Sequence, residues 1–227
     1  MITIEGEPSP LFSAITSLIN LMAAGKVPDV IKPYLFGGRL IALPKKDGGI
    51  RPIAVGQTLR RLTSKLVNSY ATERLVTSLS PIQLGVGVSG GVEAAVHAAR
   101  QYVTHLDSDT SVVKLDFRNA FNTVRRDAIM EAVSASVPEI YNYVHASYAT
   151  SSNLSFGDHI IPSDEGVQQG DPLGPLLFCI TIHPLLSSCA AELRLGYLDD
   201  ITLGGDTKLL GTEVKKLRQN AKNWVYP

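Results

Sequence analysis

Three aspartates carry the chemistry this sequence offers most openly. Asp199 and Asp200 are adjacent, between two short apolar runs, residues 194–198 and 201–203, that read as the strands of a hairpin. A purely structural turn there would favour Asn-Gly or Asp-Gly, whose backbone twist suits a hairpin. Adjacent carboxylates repel one another unless a cation neutralises them. A hard divalent ion that takes oxygen ligands, such as Mg²⁺, does this. An isolated Asp-Asp pair is ordinarily a solvated turn, and Asp116 changes that balance. It ends residues 111–115, a β-branched apolar run that reads as a buried strand. Three aspartates at strand ends can converge on one sheet edge and hold two metal ions about 3.5–4 Å apart. One ion would lower the pKa of an attacking hydroxyl, and the other would stabilise the leaving oxygen of an in-line displacement. That is the machinery of phosphoryl transfer.

The residues around these aspartates carry a specific resemblance. Val113-Lys114-Leu115-Asp116-Phe117-Arg118-Asn119-Ala120-Phe121 resembles the first carboxylate motif of reverse transcriptases. Gly166-Val167-Gln168-Gln169-Gly170-Asp171-Pro172-Leu173-Gly174-Pro175 is similar to their nucleotide-pocket motif, and Tyr197-Leu198-Asp199-Asp200 matches their Y-x-D-D hairpin. Upstream, Leu43-Pro44-Lys45-Lys46 and Arg51-Pro52-Ile53 resemble the fingers segments of the non-LTR retrotransposon branch. The motifs stand in the family's order, and the resemblance spans residues 31–205.

The resemblance implies a role for each matching position. Asp116 and Asp199 would be the main ligands of two Mg²⁺ or Mn²⁺ ions, with Asp200 beside them and the Phe117 carbonyl completing a metal shell. Arg51 and Lys45 or Lys46 would reach the incoming triphosphate, where positive charge suits a transition state of spread negative charge. Phe121 would pack under the sugar and exclude a 2′-hydroxyl. Gln169 and Gly170 would line the nucleotide pocket, Gly170 because it lets the backbone come close. The implied activity is RNA-directed DNA polymerisation within a retrotransposon polyprotein, and the implied partners are an RNA template, a DNA primer and deoxynucleoside triphosphates. The alternative is a catalytically inactive retroelement relic that binds RNA. An RNA-templated RNA polymerase shares the chemistry, but usually carries Gly directly before the Asp pair, where this chain has Leu198.

The elements that must position these residues follow from periodicity. Ser9 can cap a helix that starts at Pro10, places Leu11, Ile15, Leu18, Ile19 and Met22 on one face, and stops at Gly25. Residues 39–43 and 51–55 read as a hairpin around Gly48-Gly49, and residues 59–79 as a helix ended by Pro81. A glycine-rich stretch, 85–91, leads into a helix over 92–102; its G-x-G-x-x-G spacing mimics a dinucleotide fingerprint, but Ser80-Pro81-Ile82-Gln83 supplies no preceding strand. A helix over 125–135 follows. Another should open near Asp171, which can cap it, run to about Leu193, and kink at Pro184. Gly204-Gly205 should end the last strand.

The expected fold class is α+β: right-hand polymerase fingers and palm, with an antiparallel palm sheet backed by helices. Residues 1–108 read as a fingers-like part with the N-terminal helix and 109–227 as palm, the two interleaving. The thumb that family members carry after the hairpin is missing from the sequence, which ends at Pro227. Poor or absent polymerase activity is the expectation for these residues alone, because a primer must be held to react.

Composition adds boundaries. The chain has 227 residues, 44% of them hydrophobic, enough for a real core. Its 21 basic and 21 acidic residues balance. Locally, Lys32, Arg39, Lys45, Lys46, Arg51, Arg60, Arg61 and Lys65 face a single acid, Asp47, a surplus suited to phosphates or to an ordinary solvated face. Cys179 and Cys189 have neither CxxC nor zinc spacing and read as free thiols. No targeting signal or membrane span is visible, and the expected compartment is intracellular, nuclear or cytoplasmic. Oligomeric state has no signature in the sequence.

Overall fold

The computed structural model describes residues 9–46, 48–117 and 119–225. Asp47 in the first hairpin loop, Arg118 in the first carboxylate motif and the end at Pro227 lie outside them.

The first helix, α1 (Pro10–Ala23), begins as its sequence dictates, with Ser9 Oγ accepting from the Phe12 amide at 3.3 Å. Its expected inward face does not form. Met22 is buried, but Leu11, Ile15 and Leu18 are exposed. Only the last turn is anchored, where the Thr63 hydroxyl meets Met22 Sδ at 3.7 Å. A single turn, α2 (Lys32–Leu35), leads into the hairpin of β1 (Gly38–Pro44) and β2 (Ile50–Gly56).

The long α3 (Thr58–Leu79) turns Arg60, Thr63, Ser64, Val67, Ala71, Leu75 and Leu79 inward, a spacing of three and four residues that lines one helical face. After α4 (Gly91–Thr104) comes β3 (Thr110–Asp116), which delivers Asp116. The chain then folds back through α5 (Ala120–Thr123), α6 (Arg126–Ser136) and α7 (Tyr141–Tyr148). A second hairpin, β4 (Ser152–Phe156) and β5 (His159–Ser163), joins the first. The order β2-β1-β4-β5 makes a four-stranded sheet, with β1 and β4 parallel. This sheet draws strands from both sides of residue 108.

Helix α8 (Gly174–Ser187) is the centre of the core. Leu176, Leu177, Phe178, Cys179, Ile180 and Ile182 are all buried, so it is covered all round. It starts later than expected, at Gly174, with Pro175 in its first turn but Asp171 and Pro172 before it, and ends at Ser187 rather than near Leu193. Pro184 is accommodated one turn from the end. Arg194 Nη1 then donates to the carbonyls of Ser187 (3.0 Å) and Cys189 (3.3 Å), which closes the helix.

The strands β6 (Leu193–Tyr197) and β7 (Asp200–Asp206) complete an antiparallel sheet in the order β3-β7-β6. Gly204 and Gly205 do not end β7, which runs on to Asp206. A Cβ on Gly204 would lie 2.5 Å from a ring carbon of Tyr102, so glycine is there to admit α4, not to break the strand. The last helix, α9 (Thr207–Ala221), is capped by Asp206, whose carboxylate accepts from the Leu209 amide at 2.8 Å. No described helix is long and apolar enough to cross a membrane. Both cysteines are buried and free.

Candidate active site

The antiparallel register of β3 and β7 sets Asp116 directly opposite Asp200. Paired residues in such a ladder point to the same face. Asp199 sits in the two-residue loop between β6 and β7, whose flanking residues Tyr197 and Asp200 are partners. Two strand ends and one hairpin tip therefore bring the three acids to one edge of the sheet.

A cleft of about 830 Å³ opens at this edge. Asp116, Phe117, Asp199, Lys45, Arg51, Phe121, Gln169 and Gly170 all line it. Lys46 lies outside it and lines an adjoining hollow with Lys45 and Arg51. Asp200 also lies outside the cleft lining. Its Oδ1 meets Lys114 Nζ at 2.9 Å, with both side chains mostly exposed.

The electrostatics follow from this crowding. Burial pushes the Asp199 carboxyl above the usual carboxylate range, and the charges of Asp200 and Asp116 push it further, while Arg51 pulls it back. The hydrogen bond to Asp200, and the charges of Asp200, Asp116 and Asp199, raise the Lys114 ammonium above its ordinary value. The acids thus already attract one cation. Their oxygen donors suit a hard divalent ion. Among the described residues, no group of three or more Asp, Glu, His or Cys side chains stands ready as a metal cage.

The remaining residues are positioned by packing. The ring of Phe117 meets Phe178 edge-on at 6.0 Å, and that of Phe121 lies tilted against Phe178 at 5.0 Å. The Phe117 carbonyl accepts a long bond, 3.4 Å, from the Ala120 amide. Asn119, at φ 53°, takes the left-handed conformation that turns the chain away from β3, which Asn tolerates better than most residues. The Gln169 carbonyl accepts from the Ala54 amide at 2.7 Å, and its side-chain amide donates to Asn122 Oδ1 at 3.3 Å. Gly170 has φ 122°, and a Cβ there would lie 2.4 Å from the Ala54 carbonyl oxygen. The loop is stitched to β2, the strand that bears Arg51.

Two parts of the site escape sequence reasoning. Arg60, counted with the basic surface, is 1% exposed and so belongs to the core rather than to that surface. Its guanidinium pairs with Asp171 at 2.9 Å and donates to the Phe36 carbonyl and Gln168 Oε1. Tyr148 donates its hydroxyl to the same Asp171 oxygen at 2.6 Å. Asp171 therefore anchors the pocket loop, while its other oxygen accepts from the Leu173 amide at 3.0 Å. The second part is Gln83, wholly buried, whose side chain bonds the backbone of Leu198. A polar residue just past a helix, amid apolar neighbours, was the only available signal.

Residues 43–226 match the family model described as reverse transcriptase (RNA-dependent DNA polymerase), and the chain belongs to that family. It is 32% identical over 175 residues to the retrotransposable element SLACS 132 kDa protein of Trypanosoma brucei gambiense, covering 72% of this chain and 14% of that protein. It is 28% identical over 172 residues to the Pol polyprotein of the type-1 retrotransposable element R2 of Popillia japonica, covering 66% and 23%. The chain thus spans less than a quarter of the length of these relatives. Among solved structures, the apo telomerase of Candida tropicalis aligns with TM-score 0.61 at 12% identity, over 94% of this chain and 47% of that one, a likeness of fold.

Proposed function

We propose that the cleft is the catalytic centre of an RNA-directed DNA polymerase, belonging to a retrotransposon polyprotein. The observation that carries this is the gathering of Asp116 and Asp199 in one cleft with Arg51, Lys45, Phe121 and Gly170. Asp116 and Asp199, with Asp200 and the Phe117 carbonyl beside them, would hold two Mg²⁺ or Mn²⁺ ions, which supply an activated primer hydroxyl and charge neutralisation at the leaving oxygen.

The chain's own residues do the rest. Arg51 and Lys45 bind the triphosphate oxygens and stabilise the charge that spreads over them as the bond breaks. Gly170 lets the nucleotide approach the loop backbone, and Gln169 offers a neutral donor to sugar or base. Phe121 closes the space a 2′-hydroxyl would need. Lys114 pairs with Asp200 Oδ1, so an ion bound by that oxygen would compete with Lys114. The partners are an RNA template, a DNA primer and deoxynucleoside triphosphates.

The test is single-nucleotide addition to a DNA primer annealed to RNA, with Mg²⁺, beside an Asp199→Asn control. Slow addition that Asp199→Asn abolishes is the expected result. RNA binding with no Asp199-dependent addition would favour the inactive relic.

A further inference from the structure

Leu198 holds an unusual backbone conformation. It is the first residue of the two-residue loop Leu198-Asp199, and its φ is 57°. That position in a hairpin ordinarily calls for glycine, because a side chain crowds the backbone at positive φ. Asp199 follows immediately, so whatever fixes Leu198 fixes the start of Asp199.

The restraint comes from outside the sheet. Gln83 lies past the end of α3, with no solvent exposure. Its Oε1 accepts from the Leu198 amide at 2.8 Å and from the Gly85 amide at 3.2 Å, and its Nε2 donates to the Leu198 carbonyl at 3.2 Å. One side-chain amide therefore satisfies both backbone groups of Leu198. The flanking backbone follows the same path. The Leu84 amide donates to the Gly196 carbonyl, and the Gly196 amide to the Ile82 carbonyl, each at 2.7 Å. The approach is close enough to exclude side chains. A Cβ on Gly85 would lie 2.7 Å from the Leu198 nitrogen, and one on Gly196 would lie 3.0 Å from Gln83 Nε2. A buried amide with both ends used has one low-energy orientation, and so has the turn it grips.

We infer that Gln83 is a positioning residue for catalysis: it clamps Leu198 in its left-handed conformation and thereby aims the Asp199 carboxylate into the cleft. The inference rests on the reading of Asp199 as a metal ligand. It assigns to the segment between α3 and α4 a role in aligning the site, although that segment contributes no side chain to the cleft lining.

The test is made on the 227-residue chain with two readouts. The first is amide hydrogen exchange at Leu198. In Gln83→Met, which keeps side-chain length but makes no hydrogen bonds, exchange at Leu198 should accelerate while β3 and β7 amides keep their protection. The second is Mn²⁺ affinity, read by electron paramagnetic resonance, with Asp199→Asn as the control for the site. Loss of a residue that orients a metal ligand typically weakens binding about 10- to 100-fold, and Gln83→Met should fall in that range. In a Leu198→Gly background, where the loop no longer needs a clamp, the same substitution should cost clearly less. A residue that merely stabilised the fold would cost the same in both backgrounds. Equal losses, or unchanged exchange at Leu198, would overturn the inference. If the unmodified chain shows no Asp199-dependent Mn²⁺ binding, the polymerase reading falls instead, and Leu198 exchange alone decides the clamp. If Gln83→Met does not fold, Gly85→Ala pushes on the same nitrogen with Gln83 intact, and should weaken Mn²⁺ binding; unchanged binding would count against the clamp.

Discussion

At Phe121 two demands meet in one ring. It packs against Phe178 from the core side and lines the cleft from the other. Replacing it by Val opens the cleft side while leaving a β-branched apolar group on the core. The cost in stability should stay below the about 3–5 kcal/mol of a full Phe→Ala truncation. Phe121→Val should raise the ratio of ribonucleotide to deoxynucleotide incorporation, read by competitive primer extension. An unchanged ratio would leave the ring with packing alone. Asp199 presents the opposite conflict. Burial and two neighbouring acids oppose its charge, so the residue proposed as a metal ligand costs the metal-free fold some stability. Asp199→Asn should therefore stabilise the metal-free fold, read as a raised thermal midpoint, by less than about 1 kcal/mol because water screens a half-exposed carboxylate. A lower midpoint would mean that the acids are not in conflict.

Among the elements, the seam between β2 and the pocket loop is the most constrained. Gly170→Ala forces a Cβ against the Ala54 carbonyl and a positive φ on an L side chain, a strain of about 1–3 kcal/mol. Urea unfolding should show that loss, and deoxynucleotide binding, followed by filter retention, should weaken as β2 moves Arg51 away. An alanine variant with unchanged stability would mean the loop relaxes freely. This seam also marks the limit of what the sequence displays. β3, β6 and β7 are legible because their apolar runs end in charged or turn residues, and α3 because Pro81 cuts it. β4 and β5 are not: β4 buries Ser152 and Leu154, but with a serine on that face its sequence shows no apolar alternation, and most of β5 is exposed. The helix α7 hides behind aromatic residues without a clear helical stripe. The acids of the site were legible as a trio. Their unequal fates, with Asp199 half-buried and Asp200 held by Lys114, depend on packing that no spacing records.

On the scale of the whole molecule, Arg60 joins parts that are far apart in the chain. From α3 it reaches the Phe36 carbonyl, Gln168 and Asp171, with Tyr148 closing the circle. Both charges are fully buried, and breaking such a pair from one side typically costs about 3–5 kcal/mol, because the other charge is left unpaired. Arg60→Met should lower stability on that scale. Acid gives the sharper test. Burial alone would raise the Asp171 carboxyl, but Arg60 and the Tyr148 hydrogen bond hold it below its ordinary value. A carboxylate lowered in the fold lends stability above its unfolded pKa of about 3.9, and that share is lost as pH falls further, through the lowered value. In Arg60→Met only the burial effect and weaker hydrogen bonds remain, so the sign reverses: Asp171 is raised, destabilises at neutral pH, and is relieved as acid protonates it. The stability gap between the unmodified chain and Arg60→Met should thus be widest near pH 7. It should narrow toward pH 4 as the variant recovers, and narrow again below that as the unmodified chain loses its ion pair. Urea midpoints collected across this range measure the gap directly. A gap that stays constant on acidification would mean that Asp171 is not the anion Arg60 holds.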